Sequence, residues 1–567
     1  MAFIGIDLGT TNSLAAIWRG GAVVLIPNVH GEYLTPSVIS VLDDQRIVVG
    51  RSAKDRLVTH PASTVSQFKR LMGTSSVTTI NGIEFSPEEL SAVVLRQLKE
   101  DAEHFLGDKV DEAIISVPAY FDDNQRNATK IAANLAGLKV ERLINEPTAA
   151  AIAYGVHNDE KEKHFIVVDL GGGTFDVSLM EKFDDLLEVH ASAGDSHLGG
   201  EDFTAALLSY IADKQGVNEQ LLTAHERGRL YRQLEEAKKR LSTEDQIEIE
   251  LSITGKSSNV LIKQEELLGV FETLLKRMAL PIERAVRDAG LNLSEIHDVF
   301  LVGGATRMPL IRQFFTRLLG RFPACHIDPD HVVVMGAAIQ AALKQRNKEL
   351  GDIVLTDVTP FSLGVSTSTE DGHGGYISGI QSVIIERNTT IPVSRAHSYT
   401  TVQDGQKEIC FEIFQGEHLL AKQNIRIGEL LVNIPKNSAG KESVEVRFTY
   451  DINGLLEVIA TVRSTSVRKR TVIQNSDSRL SEKEIEIALQ KIAGLKIHPR
   501  EQELNKALMA RAERIYAEQL GHDREALKKY ILRFECAMSS QDEQEASREA
   551  KFLKEYLDVI EQGFWQG

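Results

Sequence analysis

Through residues 1 to about 350, short apolar runs alternate with segments whose apolar residues recur every three or four positions. That texture is the one expected of an α/β architecture, with helices covering buried sheets. Ile114-Ile115-Ser116-Val117 reads as a buried strand closed by Pro118. Residues 122–138 then read as a helix, opened by Asp122 and closed near Gly137. Residues 165–170 and 299–302 are further strands of the buried kind. After residue 357 the period drops to two. Ile409, Phe411 and Ile413 alternate with other residues, as do Val444, Val446, Phe448 and Tyr450. Half-buried antiparallel strands have this signature, and Asn453-Gly454 is a hairpin turn between two of them. From Ser481 the period becomes helical. Leu504 and Leu508, then Leu527, Ile531 and Phe534, then Leu553, Leu557 and Ile560 recur at three and four, with breaks expected at Gly521 and Ser539-Ser540. Ser481 and Glu484 have capping-box spacing for the first tail helix. Between the first two blocks lies Asp352-Ile353-Val354-Leu355-Thr356-Asp357. A plain linker is polar; this one is apolar between acids, and should bury itself against a neighbouring surface.

At 567 residues the pattern must fill several domains. The balance of 64 basic to 81 acidic residues, net −17, argues against a nucleic-acid binder. No apolar run approaches membrane-spanning length, so no membrane partner is expected. Cys325, Cys410 and Cys536 lie far apart and form no CxxC pair. These features point to a reduced, cytoplasmic protein.

Three strands break into Gly/Thr-rich turns: Gly5-Ile6-Asp7-Leu8-Gly9-Thr10-Thr11-Asn12, then Val168-Asp169-Leu170-Gly171-Gly172-Gly173-Thr174-Phe175-Asp176, then Leu301-Val302-Gly303-Gly304-Ala305-Thr306-Arg307. Such turns offer backbone N–H groups and hydroxyls to phosphate oxygens, and their aspartates can hold a cation directly or through water. Three of them imply one nucleotide held between two related halves. Asp7, Asp169 and Glu146, the last in Ile144-Asn145-Glu146-Pro147-Thr148, are candidate Mg²⁺-ordering carboxylates. Gly255-Lys256-Ser257 imitates the end of a P-loop, but the leading glycine position is Glu250, so the signature fails and a turn between strands is expected. Arg468-Lys469-Arg470 reads as a solvated face. His104, His190, His197 and His331 show no metal spacing and read as ordinary.

These motifs, with Val117-Pro-Ala-Tyr-Phe121, Asn145-Glu-Pro-Thr-Ala-Ala150, Leu198-Gly-Gly-Glu-Asp-Phe203, Asp357-Val-Thr-Pro360 and Glu386-Arg-Asn-Thr-Thr-Ile-Pro392, resemble those of the seventy-kilodalton heat-shock chaperones, the DnaK-like proteins. The short helical tail resembles the HscC branch most. The resemblance implies a multidomain chain: an actin-like, ribonuclease-H-like two-lobed ATPase domain over residues 1–352, an apolar linker at 353–357, an antiparallel β-sandwich for peptide binding at 358–478 and a helical lid at 479–567. It implies ATP/ADP, Mg²⁺ and K⁺ in the cleft. Lys69, Glu146, Asp169 and Thr174 take catalytic positions; Asp7, Glu146 and Asp169 order the metal, largely through water. Lys69 rests on the resemblance alone, since Phe68-Lys69-Arg70-Leu71 otherwise reads as an amphipathic surface. Thr10, Thr11, Gly171, Gly172, Gly173, Glu235, Lys238, Lys239, Ser242, Gly303, Gly304 and Arg307 match ATP-binding positions. Pro118, Arg126 and Asp357 match the interdomain relay, and Val365, Tyr399, Val402, Ile409 and Phe411 the peptide pocket.

The implied function is ATP-timed binding and release of unfolded or specific client polypeptides, with a J-domain co-chaperone. Four departures qualify it. Residues 72–114 are short for the family, so a subdomain of the first lobe should be trimmed. Residues 251–260 are also short, which leaves the nucleotide exchange factor open. The linker ends in Thr356 where a leucine is usual. Residues 367–380 are long and polar where the family has an apolar arch over the peptide. A small-molecule kinase or a filament former of the same actin-like superfamily is the rival reading; the β block and helical tail argue against both.

Overall fold

The computed structural model describes residues 2–155, 162–183, 186–253, 256–324, 327–345, 354–370, 376–451, 454, 456–473, 500–519, 521–539 and 543–564. The capping box at Ser481, the hairpin residue Asn453, the turn at 254–255, the linker residues 352–353 and most of the polar insertion after Thr369 lie outside these.

The first lobe is built on one sheet, ordered Leu143–Asn145, Val110–Val117, Ala2–Asp7, Asn12–Arg19, Ala22–Ile26. Val110–Val117 runs parallel to Ala2–Asp7, and the next two strands follow as antiparallel hairpins. The second lobe repeats the plan. Asp298–Val302 runs parallel to Glu162–Leu170, which is followed by the antiparallel strands Phe175–Phe183 and Leu186–Asp195. The matching order is what two related halves require. In each half a predicted acidic position lies at the end of the central strand, Asp7 as its last residue and Asp169 as its last but one, so the topology delivers both carboxylates to one cleft.

Two helices run between the lobes, Glu146–Gly155 and Val332–Lys344, both almost entirely buried. They touch backbone to backbone: a Cβ on Gly336 would lie 1.7 Å from the Ala149 carbonyl oxygen, and one on Gly5 would lie 2.2 Å from the Ala338 nitrogen. Only glycine allows these approaches.

The segment Val354–Val358 is a strand. It lies parallel to Leu186–Glu188 on the edge of the second lobe's sheet, then pairs with Thr390–Ile391. Its apolar character thus finds the buried surface expected, with Leu355 packed on the interlobe core. Beyond it, two four-stranded antiparallel sheets face each other: Tyr376–Ile385, Leu363–Glu370, Glu408–Gln415 and Ile425–Asn433 form one, and Val393–Thr400, Ser443–Tyr450, Leu456–Val462 and Arg468–Ile473 the other. Val444, Val446, Phe448 and Tyr450 all point into the core, as their period of two demanded. Arg468, Lys469 and Arg470 face outward.

Among the described residues the tail forms three helices, Arg500–Glu518, Gly521–Ser539 and Glu543–Phe564, whose bounds agree with the expected breaks. Leu527, Phe534, Leu553 and Leu557 are fully buried among them, and each contributes about 1.5–3 kcal/mol. The first helix packs on Arg51–Thr59 of the first lobe, where Arg514 Nε lies 2.6 Å from Asp55 Oδ1. No helix among the described residues is long and apolar enough to cross a membrane.

Candidate nucleotide site and its link to the sandwich

The cleft between the lobes encloses a cavity of about 520 Å³, within the range of small-molecule sites. Asp7, Thr10, Thr11, Lys69, Glu146, Asp169, Gly171, Gly172, Thr174, Glu235, Lys238, Lys239, Ser242, Gly303, Gly304 and Arg307 all line it. Gly173 stands behind the lining. A Cβ there would lie 2.6 Å from the Thr10 side chain and 2.8 Å from Arg70 Nε. Gly172 meets the opposite lobe more closely still, with a Cβ position 1.9 Å from Thr11 Oγ1. The glycines let the two phosphate-type turns close on each other.

At the floor Lys69 Nζ donates to Glu146 Oε1 at 2.8 Å, both groups being buried. Lys69 reaches this depth because Phe68–Leu71 is a tight 3₁₀ turn, not a surface helix, and it buries both Phe68 and Lys69. The amphipathic-surface reading of this segment is therefore corrected. The lysine also lies 5.5 Å from the centre of the Phe121 ring. Around it stand more carboxylates than it can neutralise. Burial and the nearby Glu146 push Asp7 up to about 7, against Lys69 and a 2.8 Å hydrogen bond from Ser116. Burial and Glu146 push Asp169 well above the usual carboxylate range, and push Asp176 up to about 7. Burial first, and the crowding of acids second, make these carboxylates reluctant to ionise.

On the second lobe, the helix Ala224–Arg240 carries Glu235, Lys238 and Lys239 into the cleft, with Ser242 just past its end. Lys238 Nζ donates to Gly200 O and Thr204 Oγ1, both at 2.7 Å, and lies 2.6 Å from Glu235. Burial would raise Glu235, but Lys238 and Lys239 outweigh it and hold it at about 2. Arg307 is fixed by Asp328 at 2.5 Å and Asp330 at 2.7 Å.

Four residues at this cleft were not singled out from the sequence as site residues. Glu201 accepts from Thr11 Oγ1 at 3.0 Å and from Gln67 at 2.7 Å, joining the lobes. Arg70 and Asp202 do the same at 2.5 Å. Lys54 lines the cavity, and burial, with Lys239 nearby, lowers its pKa. Glu201 and Asp202 lie inside a quoted motif; their cross-lobe partners are more than 130 residues away and leave no local signal.

From the floor a polar chain leads out. Asn145, next to Glu146, accepts from Arg126 Nη2 at 2.7 Å and donates to Asp357 Oδ2 at 2.7 Å. Arg126 also donates to the Ala119 and Phe121 carbonyls at 3.0 Å, holding the turn that Pro118 begins. A second route starts at Asp176, which accepts from the Tyr120 N–H at 2.9 Å; the Tyr120 ring packs 4.4 Å from Phe361. The sandwich is tied down on both lobes, by Tyr450 and Gln415 to Asp123 at 3.1 Å, and by Arg387 to Asp288 at 2.7 Å.

A family model described as Hsp70 protein matches residues 3–81 and 74–563. The chain belongs to the Hsp70 family. The chaperone protein DnaK of Mycoplasmopsis agalactiae (strain NCTC 10123 / CIP 59.7 / PG2) is 41% identical over 497 residues, covering 85% of this chain and 80% of that protein. As an Hsp70, the protein is an ATPase and an ATP-dependent chaperone for unfolded polypeptides.

The five positions expected for the peptide pocket do not share one surface. Val365 and Phe411 are buried in the sandwich core, Tyr399 and Ile409 are half-buried at its edge, and Val402 is exposed. Tyr399 joins the two sheets, through a 3.0 Å hydrogen bond with Ser382 and a ring contact of 5.6 Å with Phe411. Val365 and Phe411 lie inside the sandwich core. Of the four histidines read as ordinary, His190 has acidic and imidazole neighbours that the spacing did not reveal: it lies with His164 and Glu181.

Proposed function

We propose that ATP hydrolysis runs at Lys69, Glu146, Asp169 and Thr174, and that the Asn145–Asp357 contact carries nucleotide state to the sandwich. The observation that carries this reading is the adjacency of Glu146, paired to Lys69, and Asn145, paired to Asp357. One residue step in the chain separates the reacting end from the linker.

In this reading Thr10, Thr11 and the Gly171–Gly173 turn receive the phosphates, and Glu235, Lys238, Lys239, Ser242, Gly303, Gly304 and Arg307 enclose the adenosine. Lys69 neutralises charge gathering on the terminal phosphate. Glu146 and Asp169 accept hydrogen bonds from the attacking water. Thr174 offers its hydroxyl beside them. The surplus of carboxylates fits a divalent cation, and Asp7, Glu146 and Asp169 would hold Mg²⁺ through its water shell. Bound there, Mg²⁺ supplies charge neutralisation of the phosphate oxygens. K⁺ belongs to the same reading.

The boundaries at 352, 357 and 478 follow from it, with Val354–Val358 in the docked arrangement and the tail helices as the lid. Membership of the HscC branch, a cytoplasmic location and a J-domain partner complete the proposal; the exchange factor stays open. A dedicated client, in place of generic apolar peptides, is favoured by one feature. Ser368 and Ser378, flanking the polar insertion, hydrogen-bond each other at 2.9 Å on an exposed face.

The test is the release of a fluorescent, extended apolar peptide with and without Mg²⁺ and ATP. ATP should accelerate release. Lys69→Ala should keep that acceleration while single-turnover hydrolysis falls roughly 100- to 1,000-fold. Hydrolysis at the wild-type rate in that variant would remove Lys69 from the mechanism, and release indifferent to ATP would remove the coupling. A pull-down on Thr174→Ala separates a dedicated client, seen as one band, from general binding, seen as many.

A further inference from the structure

We infer that the second lobe carries a transition-metal site outside the cleft, formed by His164, Glu181 and His190, with Zn²⁺ as the ion its chemistry fits. The three side chains come from three neighbouring strands, Glu162–Leu170, Phe175–Phe183 and Leu186–Asp195. His164 and Glu181 are direct cross-strand partners and so share a face. His190 joins them through an irregularity. Leu179 pairs with Ala191 and Met180 with Val189, which leaves His190 as the extra residue of a β-bulge. Bulges re-aim side chains in this way.

The geometry suits an ion. His190 Nε2 is 3.0 Å from one Glu181 oxygen, and His164 Nε2 is 3.7 Å from the other. One ligand atom from each residue falls within 4.8 Å of the other two. A tetrahedral zinc with ligands at 2.0–2.2 Å has ligand–ligand edges of about 3.4 Å, between the two observed spacings. Two imidazoles with one carboxylate select against Mg²⁺ and Ca²⁺, which take oxygen, and suit Zn²⁺. The three side chains are between 24% and 30% exposed, which leaves an entry path and a position for water. A further histidine lies beside the set. His297 Nδ1 accepts the His164 backbone N–H at 3.1 Å, and its ring stacks on that of His164 at 6.1 Å. Outer partners of this kind fix ligand rings.

The location gives the ion a structural lever. Two residues before His190, Glu188 is in register with linker residue Thr356. Two residues after it, the Ser192 N–H donates to Asn388 of the sandwich at 3.0 Å. An ion on the bulge would stiffen the strand between these two docking points.

The experiment is calorimetric titration of Zn²⁺ into chelator-stripped full-length protein saturated with Mg²⁺ and ADP, so that the cleft carboxylates are engaged. Co²⁺ absorption reports the coordination geometry. One equivalent should bind. Affinity should fall at least about tenfold in each of His164→Asn, Glu181→Gln and His190→Asn, with circular dichroism and ATPase rate unchanged. Absence of stoichiometric binding, or unchanged affinity in the folded variants, overturns the proposal. Three independent substitutions keep the test decisive if one of them misfolds.

Discussion

Asp357→Ala isolates a single link between the ATPase and the sandwich. The carboxylate accepts from Asn145 Nδ2 at 2.7 Å, and the Thr148 hydroxyl is 3.5 Å away. A hydrogen bond to a charged group contributes about 1.5–3 kcal/mol, and about 1.4 kcal/mol is a factor of ten. The lost bond alone should therefore shift the docked-to-released ratio roughly 10- to 100-fold. One term opposes it. Burial holds the Asp357 pKa above its ordinary value, even though Arg126 and Arg142 pull it down, so alanine also relieves a desolvation cost. The shift should thus lie near the lower end, about tenfold. The pH dependence has a definite sign. A carboxyl whose pKa is higher docked than released favours docking in acid, and that contribution is lost as pH rises through the docked pKa. Asp357→Asn should dock with little pH dependence. The assay is protease cleavage of residues 352–357 in Mg²⁺-ATP, read beside ATP-accelerated peptide release. An alanine variant cleaved as slowly as wild type, with full acceleration, would refute the reasoning.

Three other outcomes follow from the geometry. Asp7 and Asp176, each pushed up from 3.8 to about 7 by burial and Glu146, stabilise the nucleotide-free fold fully only in acid below 3.8, and that contribution is lost as pH rises to about 7; their contribution to melting temperature should fall between about pH 4 and 7 and level off above, and Mg²⁺ with ATP should flatten the curve. Gly172→Ala drives a Cβ into Thr11, and overpacking of about 1–3 kcal/mol should weaken ATP binding measured by calorimetry at least several-fold. Arg514 joins Asp55 of the first lobe at 2.6 Å and Glu561 of the tail at 2.5 Å, with little exposure. Arg514→Ala should raise hydrogen exchange across Arg51–Thr59 and the tail helices, by more than Asp55→Ala, which leaves the arginine paired with Glu561.

What the sequence made legible was whatever repeats locally. Buried strands, the period-two block and the tail helices were visible because each apolar residue points to the core its own element builds. The cleft glycines were visible because their turns are continuous motifs. Lys69 was not, since four residues of alternating character cannot tell a 3₁₀ turn that buries a lysine from a surface helix. Glu201 and Lys54 take their place from the opposite lobe, and His190 from a bulge whose register depends on both neighbouring strands. Chemistry set by pairing across the fold leaves no spacing to read.

The contact of Gly336 with Ala149 has a mechanical consequence. Gly336 puts no side chain between itself and Ala149, so at this point the two backbones meet directly. Turning about the contact keeps both backbones at their closest approach, whereas sliding by a residue would drive a Cβ into a carbonyl. Such a contact resists sliding more than it resists rotation. Because Glu146 begins one of these helices and Asn145 directly precedes it, an angular change at this contact would move both residues together.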